Sequence, residues 1–116
     1  MSTQKYSPEE QQQICQTIIS QLGGNQFFSM TGTKCKYYEE TNGNVSVTFQ
    51  LKRNALKAKY MNITLRNDLY DIEFFSVNKD FDRITKYSLE GAYCNMLRPV
   101  FEQQTQLRTS LTHIYG

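Results

Sequence analysis

The apolar positions of this chain change period twice, from 3.6 to 2 and back again. Ile14, Ile18 and Leu22 recur at intervals of four with Cys15 and Ile19 beside them. Gln11, Gln12, Gln13, Gln16 and Gln21 face away from that stripe or edge it, which predicts a helix with one buried face. Its start is marked by Ser7-Pro8-Glu9-Glu10. The serine hydroxyl caps the first turn, Pro8 occupies the first helical position, and Glu10 can return a bond to the cap. Gly23-Gly24 supplies a left-handed stop.

Alternation takes over in the middle of the chain. Val45, Val47, Phe49 and Leu51 interleave with Ser46, Thr48 and Gln50, predicting a half-buried strand. Asn42-Gly43 before it is a two-residue hairpin turn that pairs Tyr38 with Val47 and Tyr37 with Thr48. The same register sets Lys36 against Phe49, so a bulge is expected between Lys34 and Tyr38. A second hairpin turns at Asn67-Asp68. It sets Leu65 against Tyr70, Ile63 against Ile72 and Met61 against Phe74, with Thr64–Asp71 and Asn62–Glu73 on the reverse face. A slip of one residue would destroy that match. Asn78-Lys79-Asp80 reads as a further turn leading to a strand around Arg83 to Tyr87. Tyr93, Met96, Leu97, Val100 and Phe101 then return to helical spacing. Pro99 is expected to kink that helix or mark an irregular turn.

The elements compose an α+β fold: an antiparallel meander sheet of about five strands with an N-terminal and a C-terminal helix on one face. The opposite face is expected to be polar and solvated. With no linker or repeat, residues 1–116 form one domain, long enough to bury roughly two-thirds of its unfolded surface. At 39% apolar and 21% charged residues, the composition is that of a folded domain rather than a disordered chain. The chain has neither a membrane-length apolar run nor an apolar core at its start, so no membrane partner is expected. Cys15, Cys35 and Cys94 lack metal-pair spacing. One is expected in each helix and one in a strand, as small buried hydrophobes in a reducing cytoplasm. No cofactor is expected.

Net charge is only +2, but its distribution is uneven. Lys34, Lys36, Lys52, Arg53, Lys57, Lys59 and Arg66 stand against Glu39 and Glu40, whereas Asp68, Asp71, Glu73, Asp80 and Asp82 stand against Lys79. Such a dipolar surface bears on partners. Lys52, Arg53, Lys57 and Lys59 crowd one loop with Tyr37, Tyr38 and Tyr60 near in the sheet. That combination suits phosphate neutralisation and base stacking; the plainer role is a solvated loop that keeps an edge strand from pairing. Asp71 and Glu73, two apart on a strand, project from one face and could hold a divalent cation or share proton transfer. Against that, the charges of Arg66 and nearby lysines balance them on a solvated face. His113 lacks an orienting partner near the chain end. Met30-Thr31-Gly32-Thr33-Lys34 has too few glycines for a phosphate loop and reads as a strand with a glycine at a bulge.

Leu22-Gly23-Gly24-Asn25, Phe27, Met30-Thr31-Gly32, Lys34 and Ile63-Thr64-Leu65 form a recognisable series. It continues through Asn67-Asp68-Leu69-Tyr70-Asp71-Ile72-Glu73-Phe74, Tyr93, Leu97, Phe101-Glu102 and Thr105. On these residues the chain from Leu22 to Leu111 resembles a group of small hypothetical proteins encoded by bacteriophages and other mobile elements. It departs from them at Pro99 and at Gln106, where glycine is expected. The resemblance implies a mobile-element setting, in which small non-enzymatic proteins bind DNA or RNA or block a host defence complex by contact.

The expectation is therefore a non-catalytic accessory protein of the bacterial cytoplasm. It contacts nucleic acid or a partner through Lys34, Lys36, Lys52, Arg53, Lys57, Lys59, Tyr60 and Arg66. An inhibitor of a host defence complex is the alternative, and a metal-dependent enzyme using Asp71 and Glu73 a distant third. A homodimer is left open.

Overall fold

The computed structural model describes residues 5–109; His113 lies outside them. Helix α1 (Pro8–Leu22) begins as its sequence requires. The Glu10 amide donates to Ser7 Oγ at 3.2 Å, and the Ser7 amide to Glu10 Oε1 at 2.9 Å. Cys15, Ile18 and Leu22 are buried, and so is Gln11, which was expected to face away from the apolar stripe or edge it. The Gln11 amide group is satisfied there, donating to the Tyr6 carbonyl at 3.2 Å and Glu40 Oε1 at 3.4 Å, which is the condition for burying a polar side chain.

A second helix, α2 (Asn25–Thr31), follows at once. It replaces the strand expected around Gly32, which instead ends the helix in the left-handed conformation, its amide bonded to the Phe28 carbonyl at 2.9 Å. Packing accounts for this short helix. The fully buried Phe27 ring meets Phe101 edge-on at 4.9 Å and Phe49 at 6.2 Å.

Strands β1 (Lys34–Thr41), β2 (Asn44–Gln50), β3 (Tyr60–Arg66), β4 (Leu69–Val77) and β5 (Arg83–Ala92) form one antiparallel sheet in the order β1-β2-β3-β4-β5. The hairpin registers are those the sequence predicts, including Tyr37↔Thr48, Ile63↔Ile72 and Met61↔Phe74. The expected bulge in β1 lies between Cys35 and Tyr37 and turns Lys36 out of the ladder. Asn42, Gly43, Asn67 and Asp68 all have positive φ, from 51° to 78°, as the tight turns require. β5 runs on to Ala92, past the expected end at Tyr87.

Val47, Phe49, Met61, Ile63, Ile72 and Phe74 face the helices and close the core with Ile18, Leu22, Phe27, Leu97 and Phe101. The opposite face is less solvated than alternation alone implies. Ser46 and Thr48 are buried, because β2 is central and longer neighbours crowd its small side chains. Asn62 Nδ2 donates to Thr48 Oγ1 at 2.9 Å and Thr64 Oγ1 to Asn62 Oδ1 at 3.0 Å.

The C-terminal helix α3 (Leu97–Thr105) is preceded by a 3-10 turn, Cys94–Met96. Pro99 is therefore its third residue and does not kink it, since amides of the first turn have no intrahelical acceptor to lose. Tyr93 precedes the helix and is exposed rather than part of its buried stripe, and Gln106 takes the left-handed position after it. Of the cysteines, Cys15 is buried, but Cys35 and Cys94 are exposed, because Cys35 lies on an edge strand and Cys94 on the 3-10 turn.

Candidate nucleic-acid interface

One end of the sheet gathers the start of β1, the end of β2, the start of β3, the end of β4 and the start of β5. Five of the eight expected site residues, Lys34, Lys36, Lys52, Lys59 and Tyr60, lie on these strand ends or next to them. Arg53 and Lys57 belong to the β2–β3 loop, residues 51–59, which is tightly tied. Asn54 Nδ2 donates to the carbonyls of Lys52 and Ala58 at 2.7 and 2.8 Å. The Ala55 amide reaches the Thr105 carbonyl at the end of α3, and the Lys59 amide the Phe75 carbonyl on β4, at 3.1 and 3.0 Å. Leu51 and Ala58 are buried beneath the loop. Lys57 holds a positive φ of 61°. The Lys52 stem crosses the α2 terminus over Gly32. Lys34, Lys36, Lys52, Arg53, Lys57 and Lys59 are all exposed, and among the described residues none enters an ion pair.

Arg66 does not join them. It sits at the far end of β3, about 20 Å from Tyr60 by strand rise. There its Nε and Nη2 donate to the two oxygens of Asp71 at 2.6 and 3.1 Å. Proximity in sequence misled here: both ends of one strand belong to the same charge block but to opposite ends of the sheet. The guanidinium fork holds the Asp71 carboxyl below its ordinary range, and the Gly91 amide at 3.0 Å adds to this.

On the open face, Tyr60 and Phe75 are cross-strand partners with stacked rings 5.4 Å apart. Lys36 Nζ stands 5.9 Å from the Tyr60 ring centre, and the Arg83 guanidinium 3.7 Å from that of Phe75. Arg83 is held by Glu73 at 2.8 Å, whose other oxygen accepts from Thr85 Oγ1 at 2.6 Å. Glu73 and Asp71 are thus each engaged by an arginine, so a divalent cation would have to displace two ion pairs to bind them.

Above this stacked floor opens a cleft of about 430 Å³, bounded by Lys36, Lys59, Tyr37 and Phe81. That volume lies in the range of roughly 300–1,000 Å³ typical of small-ligand sites. Phe75, Phe81 and Arg83 were not among the expected site residues, whereas Tyr37 was expected near the basic loop as a stacking surface. Pairing of Tyr60 with Phe75 was available from the hairpin register and would have drawn in Phe75. Nothing in the local sequence signals Phe81. Comparison of the chain with protein-family models, with curated proteins and with solved structures finds no match.

Proposed function

We propose that this protein is a non-catalytic nucleic-acid-binding protein, which neutralises backbone phosphates with the basic end of its sheet and the adjoining β2–β3 loop. The observation that carries the reading is that Lys34, Lys36, Lys52, Arg53, Lys57 and Lys59, none in an ion pair among the described residues, gather at one end of the sheet, with Lys36 and Lys59 bordering the aromatic-floored cleft and Lys52, Arg53 and Lys57 on the adjoining loop. Lysines and an arginine on a tied loop suit counterion release, because the loop has little conformational freedom left to lose when phosphate arrives. The likeness to bacteriophage and mobile-element proteins suits the same use in the cytoplasm of a bacterial host.

The test is binding of mixed-sequence DNA and RNA across a salt series by the wild type and by a variant with Lys52, Arg53, Lys57 and Lys59 all changed to alanine. Loss of four phosphate contacts should flatten the slope of log K against log salt by about 3–4 units, with affinity falling alike for all sequences. Absence of binding at about 50 mM salt, where phosphate contacts are strong, removes this reading. It would leave inhibition of a host protein complex through the same surface.

A further inference from the structure

Phe81 is 88% exposed at the tip of the β4–β5 turn, with a φ of 65°. A bulky side chain is rarely found there, because its Cβ crowds the backbone. The turn enforces that conformation through four bonds to Asn78. The amides of Asp80 and Asp82 both donate to Asn78 Oδ1 at 2.9 Å, the Phe81 amide to the Asn78 carbonyl at 3.0 Å, and the Asn78 amide to the Asp82 carbonyl at 3.0 Å. A lone exposed phenylalanine is ordinary. This one borders a cleft whose opposite boundary carries Tyr37, itself 48% exposed.

The cleft floor is already complete. Phe75 is only 7% exposed, with Arg83 over its ring and Tyr60 stacked on it. Phe75 therefore supports the site, and the open aromatic surface belongs to Phe81 and Tyr37. The charges around the cleft give it a direction. Lys36 and Lys59 stand on its β1–β3 side, while Asp80 and Asp82 flank Phe81 and outnumber Lys79 in the turn, so that the Lys36–Lys59 side is the more attractive to phosphate.

We infer that the cleft receives an unpaired nucleobase against Phe81 and Tyr37 while its phosphates lie toward Lys36 and Lys59, so that the ligand is single-stranded; this rests on the nucleic-acid reading above. A duplex keeps its base faces within its own stack and has nothing to offer two open rings, whereas every unpaired base presents a π-face. A flat charged surface would serve a duplex equally well; the recessed aromatic site would not.

The experiment compares three probes of one length by fluorescence anisotropy at fixed salt: a single strand, its duplex, and a single strand of abasic sugar-phosphate units. Wild type and the Phe81→Ala and Tyr37→Ala variants are titrated with each. Phe81 is exposed, so its alanine variant keeps the fold, and a thermal melt confirms it. Wild type should bind the single strand about 5- to 150-fold more tightly than the abasic strand, the range of one aromatic–base stack. Phe81→Ala should lose a similar factor on the single strand, with no change on the abasic strand or in salt slope. Equal affinity for all three probes, or unaltered single-strand affinity in Phe81→Ala, overturns the inference while leaving phosphate binding intact. Absence of binding to any probe overturns the nucleic-acid reading itself, and this inference with it.

Discussion

Replacing Gly32 with alanine tests the junction between α2 and the basic loop. Gly32 has a φ of 70° and ψ of 10° at the helix terminus, where an L side chain costs about 1–2 kcal/mol. The added Cβ would also crowd the Lys52 stem, with Cε 2.7 Å and Cγ 2.9 Å away. These two costs separate, since the stem is flexible and can swing aside whereas the backbone angle cannot. Gly32→Ala should therefore lose about 1–2 kcal/mol both in the wild type and in a Lys52→Ala background. The coupling between the two sites should stay within about 0.5 kcal/mol. Gly32→Asn, equally crowded but tolerant of the left-handed region, should lose less. In urea denaturation with a slope of about 1.5 kcal/mol/M, the alanine variant's midpoint should fall by roughly 1 M. A loss below about 0.5 kcal/mol would refute a left-handed helix terminus at Gly32. A loss that vanishes in the Lys52→Ala background would show that the lysine stem, not the backbone, sets the cost.

Two further predictions rest on titration and on burial. Because Arg66 lowers the Asp71 pKa on folding, the pair's contribution is fully present above the unfolded value near 3.8 and is lost as pH falls through the depressed folded value. Asp71→Asn should lower the urea midpoint at pH 7 and leave a shallower decline on acidification; equal declines in both proteins would contradict this. Cys15 is 4% exposed and its thiol is pushed up to about 12, first by burial and then by neighbouring Cys35. A thiol reagent should label Cys94 fastest in the native protein, Cys35 more slowly because burial raises its thiol pKa too, and Cys15 only on unfolding; three equally fast labels would refute the packing of α1.

The hairpins and α1 were legible because each is specified by short-range chemistry: two-residue turns that tolerate positive φ, strict alternation, and a reciprocal cap. Helix α2 was not, since seven residues cannot sustain a helix by propensity and Phe27 holds it only through distant Phe49 and Phe101. The start of α3 was misjudged because apolar spacing runs unbroken from Tyr93 through the 3-10 turn. Only the observed start at Leu97 reveals Pro99 as a first-turn residue. Gln11 was placed facing away from the apolar stripe or at its edge by its polarity, although Glu40, distant in sequence, provides the partner that permits burial. The cations of the site could be counted from sequence. Phe81 could not be found that way, as a single aromatic within Asn-Lys-Asp-Phe-Asp has the look of any surface turn.

Charge blocks along the chain and charge across the surface are different maps, and the sheet converts one into the other. The acidic run from Asp68 to Asp82 is divided by the length of β4. Asp71 is answered by Arg66 across the β3–β4 hairpin and Glu73 by Arg83 across the next strand, while Asp80 and Asp82 travel to the opposite end with the β4–β5 turn. The basic run loses Arg66 by the same geometry and keeps its other six cations together. Both arginines that reach a carboxylate on the open face are thereby locally neutralised, and the field that remains at the β2–β3 loop comes from side chains that make no ion pair among the described residues. Screening over about 10 Å at ordinary ionic strength confines that field to one end of the sheet. A polyanion bound as proposed would approach the end that carries the cleft, with its backbone toward Lys36 and Lys59 rather than toward Asp80 and Asp82. On the proposed reading, electrostatics would set the approach and the strand's lie, and the aromatic rings would decide whether a base stays.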